Sequence, residues 1–309
     1  MFSQYFGHYL LNNGLLTSEQ LHTALQRQQT THVKFGVIAV DEGLLTSAQV
    51  EEIHEKQKQQ DKRFGEIAVD LGYLSNEQVE EMLTAQKKNH LLLAQAIVEQ
   101  NYMTIDAFSN ALTDYKNLHS LSDEKFAAIK DGNIEAMIES LLQLNEEEKQ
   151  CYSDYLSLFV KNIIRFIDDQ VFVEISSEQD ELRAEWLVSQ EIKGKVPLYT
   201  AIALEESVFL QIASIYAEEE LTEANELAQA SVSEFLNLHN GIYLVNMSNK
   251  GVELDMDPQK IEKNAVISTP PAAGLSVDVH TSKGKFHLVI SKLPKHVNVI
   301  RSVATNEAI

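Results

Sequence analysis

Apolar and polar residues in the first third of the chain recur with a period of 29 residues. The copies that begin at Phe6, Phe35 and Phe64 share Phe-Gly, a short apolar stretch, a Gly, and a Thr or Ser followed three residues later by Gln. After that Gln, apolar side chains fall at positions i, i+3 and i+4, which is the spacing of one buried helix face. A fourth copy has Leu93-Ala94 in place of Phe-Gly. Because one unit cannot bury its own apolar face, we expect the units to pack on one another.

Each repeat predicts a pair of short helices. Glycine suits the left-handed conformation that ends many helices, and we expect it there in the first three copies, with Asn101 in the fourth. These glycines are Gly14, Gly43 and Gly72. A capping box predicts the start of each second helix. The boxes pair Thr17 with Gln20, Thr46 with Gln49, and Ser75 with Gln78. Residues 1–118 are therefore predicted to form an all-α domain of helical hairpins.

Residues 119–149 show weaker helical periodicity. Ser122 followed by Asp123 and Glu124 is typical of a helix start, and Gly132 lies in a predicted break. We therefore predict two short helices that form a helical linker.

From residue 150 the periodicity alternates between that of helices and that of strands. Helices are predicted at 152–168, 205–220 and 222–240, and strands at 171–176, 184–192, 198–204, 242–247, 252–256, 275–280 and 286–291. The segment Ser-Lys-Gly-Lys at 282–285 predicts a tight hairpin turn that contains Gly284. Residues 150–309 are thus predicted to form an α/β sandwich with a largely antiparallel sheet, and the whole chain is α+β.

Charge and composition narrow the class of partner. The formal net charge is −21, and both parts are acidic, with 9 basic and 15 acidic residues in 1–118 and 16 and 31 in 119–309. Binding to polyanions depends on Lys and Arg, so we expect no nucleic acid polymer as a partner.

Cys151 is the only cysteine, which fits a reducing compartment. No apolar run approaches the roughly 20 residues of a membrane span, and no signal peptide is evident, so a cytoplasmic location without membrane insertion is expected.

The repeat motif, with Arg or Lys before Phe-Gly and a terminal Gln, resembles the N-terminal domain of type II secretion and type IV pilus ATPases over about residues 3–116. One branch, named after the MshE ATPase, binds cyclic di-GMP, and the resemblance then implies ligand-binding residues by position. These are Arg63, Gly65, Gly72 and Gln86 in the third copy, and Lys34, Gly36, Gly43 and Gln57 in the second. An Arg can pair with a guanine edge, and glycine admits phosphate close to the backbone.

The first copy has Tyr5 where the basic residue stands in the others, and it offers only Gly7, Gly14 and Gln28. The residues leave another interpretation open, in which the glycines cap helices, the glutamines finish them, and Arg63 is a solvated surface charge. No G-x-x-x-x-G-K-[ST] motif occurs, so the ATPase activity of the resembled family is not expected here.

Glu234 and Asn237 stand three residues apart in a predicted helix, so they project from one side of it. We expect the neighbouring packed stripe to consist of Leu227, Ala228, Ser231, Phe235 and Leu238. A carboxylate and an amide at this spacing can bind a cation on a partner and orient one water molecule. The stretch ASVSEFLNLHNG, followed by GVELDMDPQKI with Pro258, resembles the chemotaxis phosphatases CheX and CheC over about residues 152–293.

That resemblance implies docking to a response regulator of CheY type, with hydrolysis of its aspartyl-phosphate as the implied activity. Asn237 would position the attacking water, Glu234 would pair with a Lys of the regulator, and the regulator would supply Mg²⁺, so no metal site is needed here. Ala230 stands where the family has Asp or Ser, and its methyl group cannot accept a hydrogen bond. A non-catalytic adaptor that responds to cyclic di-GMP, or that is linked to pilus or secretion machinery, stays open, as does a homodimer.

The ten histidines form no H-x-x-x-H or H-E-x-x-H motif. If the last hairpin turns symmetrically at Lys283-Gly284, His280 and His287 face each other and could hold a metal ion, but the sequence shows no third ligand. Cross-strand packing of the two rings is therefore the expectation.

Overall fold

We describe a computed structural model of the 309-residue chain, in which residues 2–28, 30–60, 62–85, 89–176, 181–270 and 274–301 are placed. The chain divides into two compact units, Met1–Ser140 and Leu141–Ile309. Residues 119–140, which we assigned to a linker, thus belong to the first unit.

The first unit consists of helices throughout its described residues. They are α1 (Phe2–Asn12), α2 (Ser18–Gln28), α3 (Phe35–Asp41), α4 (Ser47–Gln57), α5 (Phe64–Asp70), α6 (Asn76–Ala85), α7 (Asn89–Glu99), α8 (Ile105–Leu118), α9 (Asp123–Lys130) and α10 (Ile134–Leu141). Each of the four repeats forms one helix pair, and α3 packs against α6, α7 and α8. In the first and fourth copies the first helix begins four residues before the repeat motif, at Phe2 and Asn89. In the second and third copies it begins at the Phe of the motif, because the preceding residues Lys34 and Arg63 are extended.

The helix ends follow the sequence prediction. The residues expected in the left-handed conformation all have a positive φ, namely Gly14 at 68°, Gly43 at 68°, Gly72 at 71° and Asn101 at 55°. At Thr46 both halves of the capping box form, because its side chain accepts from the Gln49 N–H and its own N–H donates to Gln49 Oε1 at 2.8 Å. The predicted starts and stops of the helix pairs are therefore confirmed at these positions.

The glycine of each Phe-Gly pair allows the two helices of a repeat to approach closely. A Cβ atom built on Gly7, Gly36 or Gly65 would lie 2.6, 2.7 or 2.8 Å from Leu21 Cδ1, Val50 Cγ1 or Val79 Cγ1, respectively. Carbon atoms in contact prefer separations of about 3.5–4.0 Å, so a larger residue would force the contacted side chain or the helix to shift. This steric demand explains why the glycine recurs at the 29-residue period.

A buried ionic cluster connects the repeats to α9. Asp41 at the end of α3 has a side chain that is only 6% exposed, and it accepts hydrogen bonds from His90 Nε2 and Lys130 Nζ, both at 3.0 Å. Burial would raise the pKa of the Asp41 carboxyl, but the hydrogen bonds and charges of His90 and Lys130 outweigh it and hold that pKa below its ordinary value. The carboxylate therefore stays ionised and ties α9 to α3 and α7.

Among its described residues, the second unit has three α-helices, a short 3-10 helix at Pro294–His296 and one antiparallel sheet, in the order helix, strands, helices, strands. The helices are α11 (Glu146–Phe166), α12 (Glu206–Ala217) and α13 (Glu226–Asn249). The strands are β1 (Phe172–Ile175), β2 (Glu181–Gly194), β3 (Leu198–Leu204), β4 (Leu254–Met256), β5 (Lys260–Ser268), β6 (Gly274–Thr281), β7 (Gly284–Ser291) and β8 (Asn298–Arg301). In the described residues they form one sheet in the order β1-β6-β7-β3-β2-β5-β8, and β4 pairs with β2. The predicted mixture of helices with a largely antiparallel sheet is confirmed.

Two features of the sheet differ from the sequence prediction. The strand predicted at 242–247 is wrong, because α13 continues to Asn249 and Tyr243 packs its ring 5.1 Å from that of Tyr155. Tyr243 lies one helical turn beyond His239 and Asn240, so it extends the buried face of the helix, and this packing outweighs the local preference for a strand. The strands β5 and β8 were not predicted. In β5 the charged residues hide the alternation of apolar and polar positions.

The core of the second unit includes a layer between the helices and one face of the sheet, and a further buried cluster of strand residues that includes Leu187 and Val289. The ring of Phe159 in α11 lies 5.9 Å from that of Phe235 and 6.5 Å from that of Phe286 in β7. Trp186 in β2 is buried and stacks on Phe209 of α12, with the ring centroids 4.8 Å apart. Among the described helices, none is long and apolar enough to cross a bilayer.

The hairpin between β6 and β7 turns one residue earlier than the symmetric arrangement required. Thr281 pairs with Gly284, so Ser282 and Lys283 form the turn. As a result His280 pairs with Lys285 and His287 pairs with Asp278, and the direct His280–His287 pairing is wrong. A shift of the turn centre by one residue changes every cross-strand partner.

Replacing Gly65 by Ala should lower the free energy of unfolding by about 1–3 kcal/mol, because the added methyl group overlaps Val79 Cγ1. Urea denaturation followed by circular dichroism measures this change. The double variant Gly65→Ala/Val79→Ala should be more stable than the sum of the two single changes predicts, since the second removes the overlapping atoms. If the changes in the free energy of unfolding of the two single variants simply add up in the double variant, the proposed close contact between Gly65 and Val79 is wrong.

The buried His239 should make the second unit less stable in mild acid. Burial lowers the pKa of this imidazole to about 3 from 6.5. Between these values the unfolded chain binds one proton more than the folded chain, so stability falls as the pH falls, by at most about 1.4 kcal/mol per pH unit. Urea unfolding monitored through Trp186 fluorescence should show this slope in the native sequence and a smaller slope in His239→Gln. Equal slopes would contradict the prediction.

Candidate functional site

The structure places Glu234 and Asn237 together on the surface of α13. They lie one turn apart, and Asn237 Nδ2 donates a hydrogen bond to Glu234 Oε2 at 3.2 Å. Glu234 is exposed, whereas Asn237 is half-buried at the edge of the helix face that packs on the sheet. The carboxylate is therefore open to solvent, and the amide is partly enclosed.

The neighbouring helix face is buried as expected in most positions. Ala228, Ser231 and Phe235 are buried, and Leu238 is half-buried. Leu227 departs from the expectation, because it is 46% exposed. Seven residues make almost two full turns of an α-helix, so Leu227 lies on the same side as Glu234 and faces solvent with it.

The pair borders a shallow and largely apolar cavity on the outer surface of α13. The cavity has a volume of about 360 Å³ and is lined by Glu234, Asn237, Leu238, Gly241, Ile242, Val245 and Met256. Gly241 leaves room at its centre, since a Cβ atom there would meet only Met256 Cε, at 3.9 Å. Val245 is 60% exposed. Exposed apolar surface beside fixed polar groups is typical of a protein-binding site.

Gln190 in β2 fixes the orientation of the Asn237 amide. Its Nε2 atom donates to the backbone oxygen of Asp257 at 2.8 Å and to Asn237 Oδ1 at 3.0 Å. A backbone oxygen can only accept, so the nitrogen of Gln190 must face it, and Asn237 must then present its own oxygen to Gln190. The amide nitrogen of Asn237 is thereby directed towards Glu234.

The same orientation is anchored in the core of the second unit. Asn240 is fully buried, and its Nδ2 atom donates to Gln190 Oε1 at 2.8 Å and to Thr200 Oγ1 at 3.0 Å. The Tyr155 hydroxyl donates to Asn240 Oδ1 at 2.6 Å, and burial raises the pKa of Tyr155 far above its ordinary value, so this proton stays in place. We call the chain Tyr155–Asn240–Gln190–Asn237 the buried amide network.

Sequence reasoning missed Gln190 and Asn240. The available signal was a polar amide in the middle of an otherwise apolar strand, in the sequence Trp-Leu-Val-Ser-Gln, and a second amide on the packed face of a helix. A buried amide needs hydrogen-bonding partners, but the sequence does not show which residues provide them.

The sequence motif has two further positions, Pro258 and Ala230. Pro258 follows Asp257, whose backbone oxygen holds Gln190, and the Asp257 carboxylate pairs with Lys193 at 2.7 Å. Ala230 is exposed one turn before Glu234, so this position offers a methyl group and no hydrogen bond.

Three of the residues implied for cyclic di-GMP binding, Arg63, Lys34 and Gln57, lie at helix ends in the first unit. Arg63 and Lys34 are the residues before α5 and α3, and the Lys34 ammonium pairs with Glu99 at 2.9 Å. Gln57 at the end of α4 donates to the backbone oxygen of Lys62 at 3.3 Å.

The glycines of the same proposed site all have a structural reason for being glycine. Gly36 and Gly65 allow close helix packing, and Gly43 and Gly72 have a positive φ. Gln86 lies outside the described residues. Binding of cyclic di-GMP by these residues stays a prediction.

Comparison with known proteins gives similarity to solved structures only. No protein-family model matches the sequence, and no curated protein does. The chemotaxis protein CheX of Desulfovibrio desulfuricans is 11% identical, with a TM-score of 0.38, and the match covers 46% of this chain and 97% of that one. CheX of Vibrio vulnificus is 14% identical, with a TM-score of 0.38 and coverage of 45% and 95%. A CheX–CheY–BeF₃–Mg²⁺ complex from Borrelia burgdorferi gives 16% identity, a TM-score of 0.35 and coverage of 48% and 96%.

Proposed function

We propose that the second unit docks on a response regulator of CheY type and hydrolyses its aspartyl-phosphate. The observation that carries this proposal is the pair formed by the exposed Glu234 and the half-buried Asn237, joined by a hydrogen bond of 3.2 Å beside an apolar cavity. The class of partner and the reaction are taken from the sequence resemblance around ASVSEFLNLHNG.

Asn237 is suited to holding the attacking water molecule. Its Oδ1 atom has a second lone pair besides the one that accepts from Gln190, and its Nδ2 atom has a second hydrogen besides the one given to Glu234. Either can bind one water. In the reaction the water oxygen forms a bond to phosphorus, and the bond to the aspartyl oxygen breaks, so that inorganic phosphate and the free carboxylate result. Such transfer depends on positioning, which the buried amide network supplies.

Glu234 is suited to pairing with a cation of the partner. Its carboxylate is exposed in the free protein, and docking would exclude water from it and strengthen its attraction to a Lys ammonium. Mg²⁺, which the reaction requires, would be bound by the regulator. Leu227 and Val245 extend the exposed apolar surface on both sides of the pair along α13 and provide contact area for docking.

The exposed methyl group of Ala230 favours a second candidate function, a docking adaptor without catalysis. The position one turn before Glu234 gives no hydrogen bond to a water molecule or to the partner. The adaptor would use the same surface of α13 but would leave the phosphorylated regulator intact.

The phosphatase proposal predicts that the full-length protein accelerates phosphate release from a CheY-type regulator phosphorylated with a small-molecule donor. Asn237→Ala should lower kcat by about 10²-fold, because the water is no longer held in line. Glu234→Ala should act mainly through weaker binding of the regulator. Asn246→Ala, which removes an exposed amide of the same helix, is the matched control and should leave the rate unchanged.

The outcomes separate the two candidate functions. Binding of the phosphorylated regulator without acceleration, and with a loss of binding in Glu234→Ala, would establish the adaptor. Equal rates for the native protein and Asn237→Ala would refute the catalytic role of this amide. No binding to any regulator encoded with the protein would refute both.

Gln190 should act as a positioning residue for the same reaction. In Gln190→Leu the Asn237 amide loses the hydrogen bond that sets its orientation, and kcat should fall by about tenfold or more while the KM for the regulator is preserved. Steady-state phosphate release resolves the two constants, and Trp186 fluorescence checks the fold. A change in KM alone would contradict the positioning role.

A further inference from the structure

Four strand residues with metal-binding side chains lie on one face of the sheet at its β1 edge. Glu174 of β1 pairs with Asp278 of β6, and Asp278 pairs with His287 of β7. His280 lies two residues beyond Asp278, and since alternate residues of a strand share a face, its side chain points the same way. The structure therefore supplies the additional ligands that the sequence did not show for the two histidines.

Three of these residues bring their ligand atoms together. One atom each from Glu174, Asp278 and His280 lies within 4.8 Å of the other two. In a tetrahedral Zn²⁺ site with bonds of about 2.0–2.2 Å, ligand atoms are separated by about 3.4 Å. Side-chain movements of about 1 Å would close the cluster around an ion, and Glu174 is 52% exposed and therefore free to make them.

His280 presents a nitrogen atom suited to coordination. The His280 side chain as a whole is 37% exposed, but its Nε2 atom is shielded from solvent and makes no hydrogen bond, although it lies 3.3 Å from Glu174 Oε2. The distance between these two atoms would allow a hydrogen bond, but their relative orientation does not. The ring of Phe172 lies 5.5 Å from the imidazole and restricts its rotation. A buried polar atom without a hydrogen bond is costly unless something binds it, and a metal ion would do so.

Asp278 is held in place by two further side chains. His287 Nδ1 lies 2.8 Å from Asp278 Oδ1, and Lys285 Nζ lies 2.6 Å from Asp278 Oδ2. A second group that orients a carboxylate ligand is a regular feature of metal sites. The Lys285 ammonium also neutralises the carboxylate when no metal is bound, so it would compete with a cation.

We propose that Glu174, Asp278 and His280 bind one Zn²⁺ ion, with His287 as the residue that orients Asp278. One nitrogen and two carboxylate oxygens form a ligand set that Zn²⁺ accepts, with water in the fourth position. Because the ligands come from β1 and β6, the bound ion fastens the edge strand β1 to the sheet and stabilises the second unit by mass action. The site uses none of the residues of the Glu234–Asn237 site, so its test is independent of the phosphatase proposal.

Titration calorimetry of the chelator-treated full-length protein with Zn²⁺ tests the proposal. The native protein should bind one equivalent at a site whose affinity falls by about 100-fold or more in His280→Ala and in Glu174→Gln. His296→Ala is the matched control, since it removes an exposed histidine of the same unit outside the cluster, and it should bind as the native protein does. Co²⁺ should give the visible absorption of a tetrahedral site, which His280→Ala should abolish.

Lys285→Gln provides a test that a mere loss of folding cannot imitate. Removal of the competing ammonium should tighten Zn²⁺ binding by roughly tenfold. Trp186 fluorescence reports whether each variant is folded. Three outcomes would overturn the proposal. They are equal Zn²⁺ binding by the native protein and by folded His280→Ala or Glu174→Gln, weaker binding in Lys285→Gln, and the absence of stoichiometric binding to the native protein.

Discussion

The buried amide network is the interaction on which the candidate site depends. Tyr155, Asn240 and Gln190 satisfy one another in the interior, and the last of them determines how Asn237 presents its amide at the surface. An amide on an exposed helix face would otherwise rotate between two orientations of nearly equal energy. The network removes this freedom because it fixes the Gln190 nitrogen towards Asn237, so a reversed Asn237 amide would place two donors against each other and lose the bond to Gln190. A surface group thus receives its orientation from the core.

The first unit depends on a constraint of another kind, the close approach of paired helices. The glycine after each repeated Phe meets a side chain of the partner helix at a distance that leaves no space for a methyl group. The motif that resembles a ligand-binding family therefore has a packing function that operates without any ligand. Gly43 and Gly72 likewise serve the backbone, since their positive φ ends the helices. A binding role for these glycines would come in addition to the structural one.

The two candidate sites of the second unit show different limits of sequence-based prediction. Glu234 and Asn237 are close in sequence on one helix, so their proximity follows from helical geometry alone. The proposed Zn²⁺ ligands lie on two strands separated by more than a hundred residues, and the register of β1 on β6 brings them together. Asp278 lies two residues before His280 in one predicted strand, so alternation already puts the two side chains on one face, but Glu174 could not be identified before the pairing of β1 with β6 was known.

The sequence by itself determined the elements that local rules govern. The 29-residue period, the capping boxes and the glycine helix ends specify the helix pairs, because turn and cap conformations depend on residues only a few positions apart. Tertiary structure decided what depends on distant residues. Packing of Tyr243 on Tyr155 kept residues 242–247 helical, the Asp41–Lys130 contact drew α9 into the first unit, and pairing with β2 formed β5. These outcomes rest on burial and long-range hydrogen bonds, whose free energies exceed the small local preferences of single residues.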